Sequence, residues 1–177
     1  MKWDEISTQT CSIARSMSIF GDRWTLMIIR QLFMRIRRFS LIQKSLGISK
    51  HRLSDRLNRL LEDKIIYKEI YDEARNRFEY KLTEKGLDLY PLFVSITKWG
   101  DKWASDEDGP PIEYVHKDCG HVANAKMCCS ECGGEIHAKN TGVRPASGIL
   151  KKIERGEFSE ADVKFYSRAL DGGKDGK

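Results

Sequence analysis

The stretch EYVHKDCGHVANAKMCCSECGGEIHAK, residues 113–139, holds four of the chain's five cysteines and three of its four histidines. Thiols and imidazoles so clustered have two chemistries open to them, a disulfide staple or a metal site. Two short motifs within the stretch can be laid over each other: His116-Lys-Asp-Cys119-Gly120 and Cys129-Ser-Glu-Cys132-Gly133 each run ligand, two spacers, ligand, glycine. That is a zinc knuckle, a tight turn aiming two donors at one ion while the glycine closes the turn. Three thiolates and one imidazole make a closed tetrahedral site, so His116, Cys119, Cys129 and Cys132 are the expected ligands of a structural Zn2+. His121 in place of His116, and Cys128 in place of Cys129, remain open on spacing alone; His137 lies farther out and is expected in solvent.

The competing readings explain less. A disulfide between two of these cysteines would leave the other thiols without a role. Thiols buried as small hydrophobes suit a polar, glycine-rich stretch poorly. A piece of ~30 residues cannot bury enough apolar surface to fold alone, whereas structural zinc contributes on the order of 10 kcal/mol. The segment MKWDEISTQTCSIARSMSIFGDRW is interrupted by charges, so it reads as neither signal peptide nor membrane span. A reducing cytoplasmic setting follows as the expectation, and there clustered cysteines favour metal over disulfide.

Catalysis is not expected. A zinc nucleobase deaminase would need His-x-Glu ahead of Pro-Cys-x-x-Cys, and that pattern is missing. There is also no His-Glu-x-x-His, P-loop or Gly-x-Ser-x-Gly.

The elements ahead of this cluster point to a polyanion. Residues 1–104 carry 20 Lys/Arg against 13 Asp/Glu, while residues 105–177 carry 11 against 13, so the net charge of +5 belongs to the N-terminal part. Apolar spacing predicts a helix over CSIARSMSIF, stopped by Gly21, and a buried one over RWTLMIIRQLFM. RFSLIQKSLG predicts a short helix with Ser40 as N-cap, Gln43 completing a capping box and Phe39 as staple. Gly47 ends it and Ser49 caps the next helix, KHRLSDRLNRLLEDK, which makes a helix-turn-helix.

In that second helix Leu53, Leu57, Leu60 and Leu61 form one apolar stripe, with His51, Asp55 and Arg59 opposite and Arg52 and Arg56 on a flank. A solvated surface would look the same in isolation. Next, however, IIYKEIYDEARNRFEYKLT predicts a hairpin with Arg75 and Arg77 at its tip. Helix, turn, helix and basic hairpin is the winged-helix order, mainly α with a small β-hairpin, and favours DNA. Lys50, His51 and Arg52 are expected at base edges, Arg56 at bases or phosphate, and Arg38, Arg75 and Arg77 at the backbone or minor groove.

Thr83 starts a long apolar-striped helix through Leu89, Leu92, Phe93, Ile96, Trp99 and Trp103, with a break expected near Tyr90 because of Pro91. A stripe ending in two tryptophans exceeds what a small winged helix needs, so a subunit interface is expected. SDEDGPPIE marks a boundary. The expected organisation is a winged helix-turn-helix with dimerisation helix at 1–104, a linker at 105–112, a zinc-ribbon-like hairpin module at 113–140, and a linker plus C-terminal helical segment at 141–177. That segment is expected to be split by Gly156, with a second capping box at Ser159 and Asp162.

The blocks CSIARSMSIFGDRWTLMIIRQL, RRFSLIQKSLGISKHRLSDRLNRLLEDKII, FEYKLTEKG and WGDKW resemble the HxlR family of bacterial winged-helix regulators over residues 11–104. The resemblance implies a homodimer on double-stranded operator DNA, a recognition helix at Ser49–Arg59 and a wing at Asp72–Arg77. It departs from the family at Ser12, where a proline is common, and at Asp22-Arg23-Trp24, where Gly-Lys-Trp is common. It also places Cys11 where some members sense oxidants or electrophiles, so a small-molecule or oxidant effector is one expectation for Cys11 and plain interface packing the other. Repression from a pseudo-palindromic operator is the leading expectation. The rivals are a metal- or thiol-responsive regulator and a protein-interaction adaptor that keeps only the fold.

Overall fold

The computed structural model describes residues 10–158 and Val163. The chain divides into two compact units, Met1–Ile112 and Glu113–Lys177. The first contains α1 (Ser12–Phe20), α2 (Arg23–Phe33), α3 (Phe39–Leu46), α4 (Lys50–Glu62), β1 (Ile66–Asp72), β2 (Arg77–Leu82), α5 (Glu84–Leu87) and α6 (Tyr90–Trp103). The second contains α7 (Ser147–Glu154).

The core of the first unit follows from the apolar spacing. Ile28, Ile29 and Leu32 of α2 and Leu53, Leu57 and Leu60 of α4 are buried around Ile42 of α3. Leu61, at the edge of the α4 stripe, is only half-buried. Between α3 and α4 the chain turns at Gly47, whose φ of +61° lies in the left-handed region where a side chain is strained. Buried Ile48 then anchors the turn, and the Ser49 hydroxyl accepts the Arg52 N–H at 3.4 Å as the cap of α4.

One expected cap is displaced. α3 begins at Phe39 with Arg38 as N-cap and no side-chain cap, because the Ile42 N–H closes the first turn on the Arg38 carbonyl at 2.9 Å. Ser40 therefore lies inside the helix, and Phe39 packs on the core.

β1 and β2 form an antiparallel hairpin from Ile66↔Leu82 to Asp72↔Arg77, with a register shift between Ile70 and Asp72. The turn is built locally: the Arg75 N–H donates to Asp72 Oδ1 at 3.2 Å, and Asn76 takes a φ of +46°. Tyr80 is buried, and its N–H donates to the Arg37 carbonyl at 2.9 Å, tying the hairpin to the loop before α3. The predicted break in the long helix falls between α5 and α6, and Pro91 sits in the first turn of α6, where its missing N–H costs nothing. A mainly helical unit with one two-stranded antiparallel hairpin in this order is the winged-helix pattern.

In the second unit, residues 113–158 include no buried side chain. Two isolated bridges, Val115↔Val122 and Cys128↔Glu135, stand in place of strands among the described residues. The hairpin expected of the 113–140 module is not what pairs among the described residues; each bridge closes its own knuckle. Gly156, at a φ of +67°, follows α7. The capping box expected at Ser159 and Asp162 lies outside the described residues. No helix among the described residues is long and apolar enough to cross a membrane.

Candidate nucleic-acid interface

With its leucines buried behind it, α4 turns Lys50, His51 and Arg52 outward in its first turn, and Ser49 just ahead of them is also exposed. The guanidinium carbons of Arg23 and Arg52 lie 5.5 and 5.9 Å from the centroid of the same Trp24 ring. One half-buried indole thus gathers two exposed cations beside the helix start.

Arg56 is placed differently. Its side chain is 21% exposed and is paired with Asp22 (Nε to Oδ1, 3.1 Å) and Asp55 (2.6 Å). Asp22 is at the same time the N-cap of α2, accepting the N–H groups of Trp24 at 3.0 Å and Thr25 at 3.2 Å as well as the Thr25 hydroxyl. One carboxylate therefore clasps the start of α2 to the middle of α4. Burial pushes the Asp22 carboxyl up, but the Thr25 hydroxyl and N–H and the Arg56 guanidinium outweigh it and hold the group below the usual carboxylate range.

This clasp was missed at the sequence level, although an Asp two residues before a helical Trp-Thr run is an N-cap signal. Asp22→Ala is expected to cost about 1–2 kcal/mol of stability. A carboxyl whose pKa is depressed by folding stabilises above its unfolded value, and the contribution fades as pH falls through the folded one. The gap between wild type and variant should accordingly be full at neutral pH and shrink in acid, as read by urea unfolding at several pH values. A gap that stays constant into strong acid would show that the Asp22 charge contributes nothing.

At the hairpin tip Arg75 and Arg77 are exposed. Arg38, also exposed, stacks over the Tyr71 ring of β1 at 4.3 Å and so links the approach to α3 with the wing. The tip, Arg38 and the first turn of α4 all belong to the first unit.

α6 is held at its start, where Phe33 packs against Tyr90 (5.2 Å) and Phe93 (5.3 Å). Farther along it buries nothing. Leu92, Ile96, Trp99 and Trp103 recur at alternating steps of four, three and four, the spacing of a coiled-coil seam, and all four are exposed, the tryptophans at 64% and 67%.

The Cys/His segment is a repeat in backbone terms. The His116 N–H donates to the His121 carbonyl (2.9 Å), Gly120 to His116 (2.7 Å) and Ala123 to Tyr114 (2.6 Å). Thirteen residues on, Cys129 donates to Gly134 (2.8 Å), Gly133 to Cys129 (2.9 Å) and Ile136 to Met127 (2.7 Å). The turn glycines match too, with φ of +72° at Gly120 and +70° at Gly133. His116 Nδ1 lies 3.4 Å from Cys119 Sγ. The backbone N–H groups of Cys132 and Glu131 and the Cys132 thiol lower the pKa of Cys129. Among the described residues, no three Cys, His, Asp or Glu side chains converge in a metal-holding group.

Cys11 is an exposed free thiol at the N-cap of α1; neighbouring Arg15 donates to the Ser12 hydroxyl at 3.1 Å.

The profile of HxlR-like helix-turn-helix proteins matches residues 19–108. Rv3095 of Mycobacterium tuberculosis (strain ATCC 25618 / H37Rv), described as an uncharacterized HTH-type transcriptional regulator, is 38% identical over 142 residues, 80% of this chain and 90% of its own. YvaP of Bacillus subtilis (strain 168), described likewise, is 34% identical over 90 residues, 50% of this chain and 83% of its own. Among solved structures, PA1607, described as a prospective transcription factor, superposes with a TM-score of 0.70 at 31% identity, over 79% of this chain and 98% of that one. PA1374 of Pseudomonas aeruginosa, described in the same terms, gives 0.53 at 25% identity over 77% and 93%. A match of 142 residues in a chain of 177 has to include positions 36–142, so the likeness to Rv3095 runs on through the Cys/His segment.

Proposed function

Because the chain belongs to the HxlR-like helix-turn-helix transcriptional regulators, we propose that it works as a homodimer on a pseudo-palindromic operator and represses by occupying it. The observation that carries this reading is the first turn of α4, where Lys50, His51 and Arg52 stand exposed on a helix whose other side is locked into the core. A recognition helix reads bases from such N-terminal positions, and twofold half-sites about 10–20 bp apart receive the two copies. The relatives are transcriptional regulators rather than enzymes.

The roles divide by chemistry. Lys50, His51 and Arg52 contact base edges, with Arg52 pre-oriented on Trp24. Ser49 caps the helix and offers its hydroxyl to a phosphate. Arg38, Arg75 and Arg77 contact the backbone or minor groove beside the wing. Arg56, already held by two carboxylates, braces α4 against α2; this departs from the base- or phosphate-reading role that its helical flank suggests. The seam on α6 meets its twin in the second subunit.

Footprinting with the full-length protein on the DNA flanking its own gene tests the reading. Two protected half-sites, with affinity falling steeply as salt rises, are expected. Failure to bind any duplex in a salt-dependent way would overturn it in favour of the adaptor.

A thiol-responsive version rests on the exposure of Cys11. In that version Cys11→Ser leaves the operator affinity of the reduced protein unchanged and removes the response to diamide. A diamide response that survives in the variant excludes Cys11 as the sensor.

A further inference from the structure

We propose that the two knuckles of the second unit hold one Zn2+ between them, through His116, Cys119, Cys129 and Cys132. The backbone correspondence carries this furthest. Three hydrogen bonds and one left-handed glycine recur at an offset of thirteen residues, so the same turn is made twice. Within that correspondence His116 falls on Cys129 and Cys119 on Cys132, a donor on a donor each time. The alternatives fall on residues that cannot ligate: His121 corresponds to Gly134, and Cys128 to Val115. The fold thereby separates donors that spacing leaves open.

Distance agrees in the first knuckle. Zinc–sulfur and zinc–nitrogen bonds of about 2.3 and 2.0–2.1 Å at a tetrahedral angle put the two ligand atoms about 3.6 Å apart. His116 Nδ1 and Cys119 Sγ are 3.4 Å apart, which is one edge of such a tetrahedron.

The packing supplies a separate argument. Residues 113–158 form ordered turns and bridges with no buried side chain, so apolar burial does not hold them. Three soft thiolates and an imidazole select zinc over magnesium or calcium, and four protein ligands leave no position for a substrate. Loading the site releases up to three thiol protons to the buffer and draws the two donor pairs onto one ion.

The test uses the full-length protein, purified under reducing conditions without chelator. Metal analysis is expected to give about one Zn2+ per chain. Replacement by Co2+ should give the thiolate charge-transfer and ligand-field bands of a tetrahedral sulfur-rich site. Cys129→Ser and Cys132→Ser should weaken metal binding at least about 100-fold. Cys128→Ser and His121→Ala should keep both stoichiometry and spectrum. Should a ligand variant prove insoluble, the Co2+ spectra of those last two variants still decide the donor set. Wild-type protein that binds neither zinc nor Co2+ overturns the proposal. So does loss of the metal in Cys128→Ser with retention in Cys129→Ser.

Discussion

Replacing Trp99 and Trp103 together by alanine is expected to turn a dimer into a monomer and to cost operator affinity by about 100-fold or more. The physical reason lies in the seam of α6. Leu92, Ile96, Trp99 and Trp103 keep a 3.5-residue repeat along the exposed side of the helix, and none is buried within its own subunit. Two indoles left two-thirds exposed form an apolar patch of the kind that marks an interaction surface. Each buries roughly 150–250 Å² when covered, and a twofold axis doubles the gain because each seam meets its own copy.

Operator affinity then suffers indirectly. Two half-sites engaged by one linked pair of recognition helices bind about 10²–10⁴-fold more tightly than either alone. The double variant should stay folded, since neither side chain belongs to the core, and its unfolding midpoint at low protein concentration should match that of dissociated wild type. Sedimentation of both proteins, paired with footprints, makes the check. A wild type that sediments as a monomer, or a double variant that remains a dimer, removes the α6 interface.

What local pattern dictates was legible in the amino-acid order. The leucine stripe of α4, the left-handed Gly47, the Ser49 cap and the polar turn between Asp72 and Arg77 all sit where periodicity and turn chemistry put them. Each depends on residues within one or two turns of one another. The misplaced cap at Ser40 is also local, a helix that starts two residues early, within the slack of any boundary.

The Asp22–Arg56 clasp is another matter, because the two residues are 34 positions apart. Helical phase alone puts Arg56 on a flank facing solvent; only the packing of α2 across α4 brings a carboxylate to it. In the Cys/His segment the two turns were legible as repeated motifs. Which residues fall on matching positions of the two turns was not, since that depends on the hydrogen-bond register inside each turn.

That clasp divides the arginines of the first unit into three kinds, and substitution should separate them. Arg52→Ala is expected to cost roughly 1–3 kcal/mol of operator affinity and to relax preference at one base pair per half-site, the signature of a bidentate contact to guanine. Arg77→Ala, at the wing tip, should weaken all duplexes alike and reduce the salt slope by about one. Arg56→Ala should lower protein stability, because it strips a half-buried carboxylate of its partner, while leaving base preference intact. Binding titrations on the operator and on single-base variants at two salt concentrations, with unfolding curves for the three proteins, distinguish these outcomes. Preference relaxed in Arg56→Ala but not in Arg52→Ala would move the reading edge of α4 by one helical turn. Arg52→Ala binding like wild type would take the first turn out of the groove, since a guanidinium ordered on Trp24 and open to solvent is the best-prepared donor on that helix.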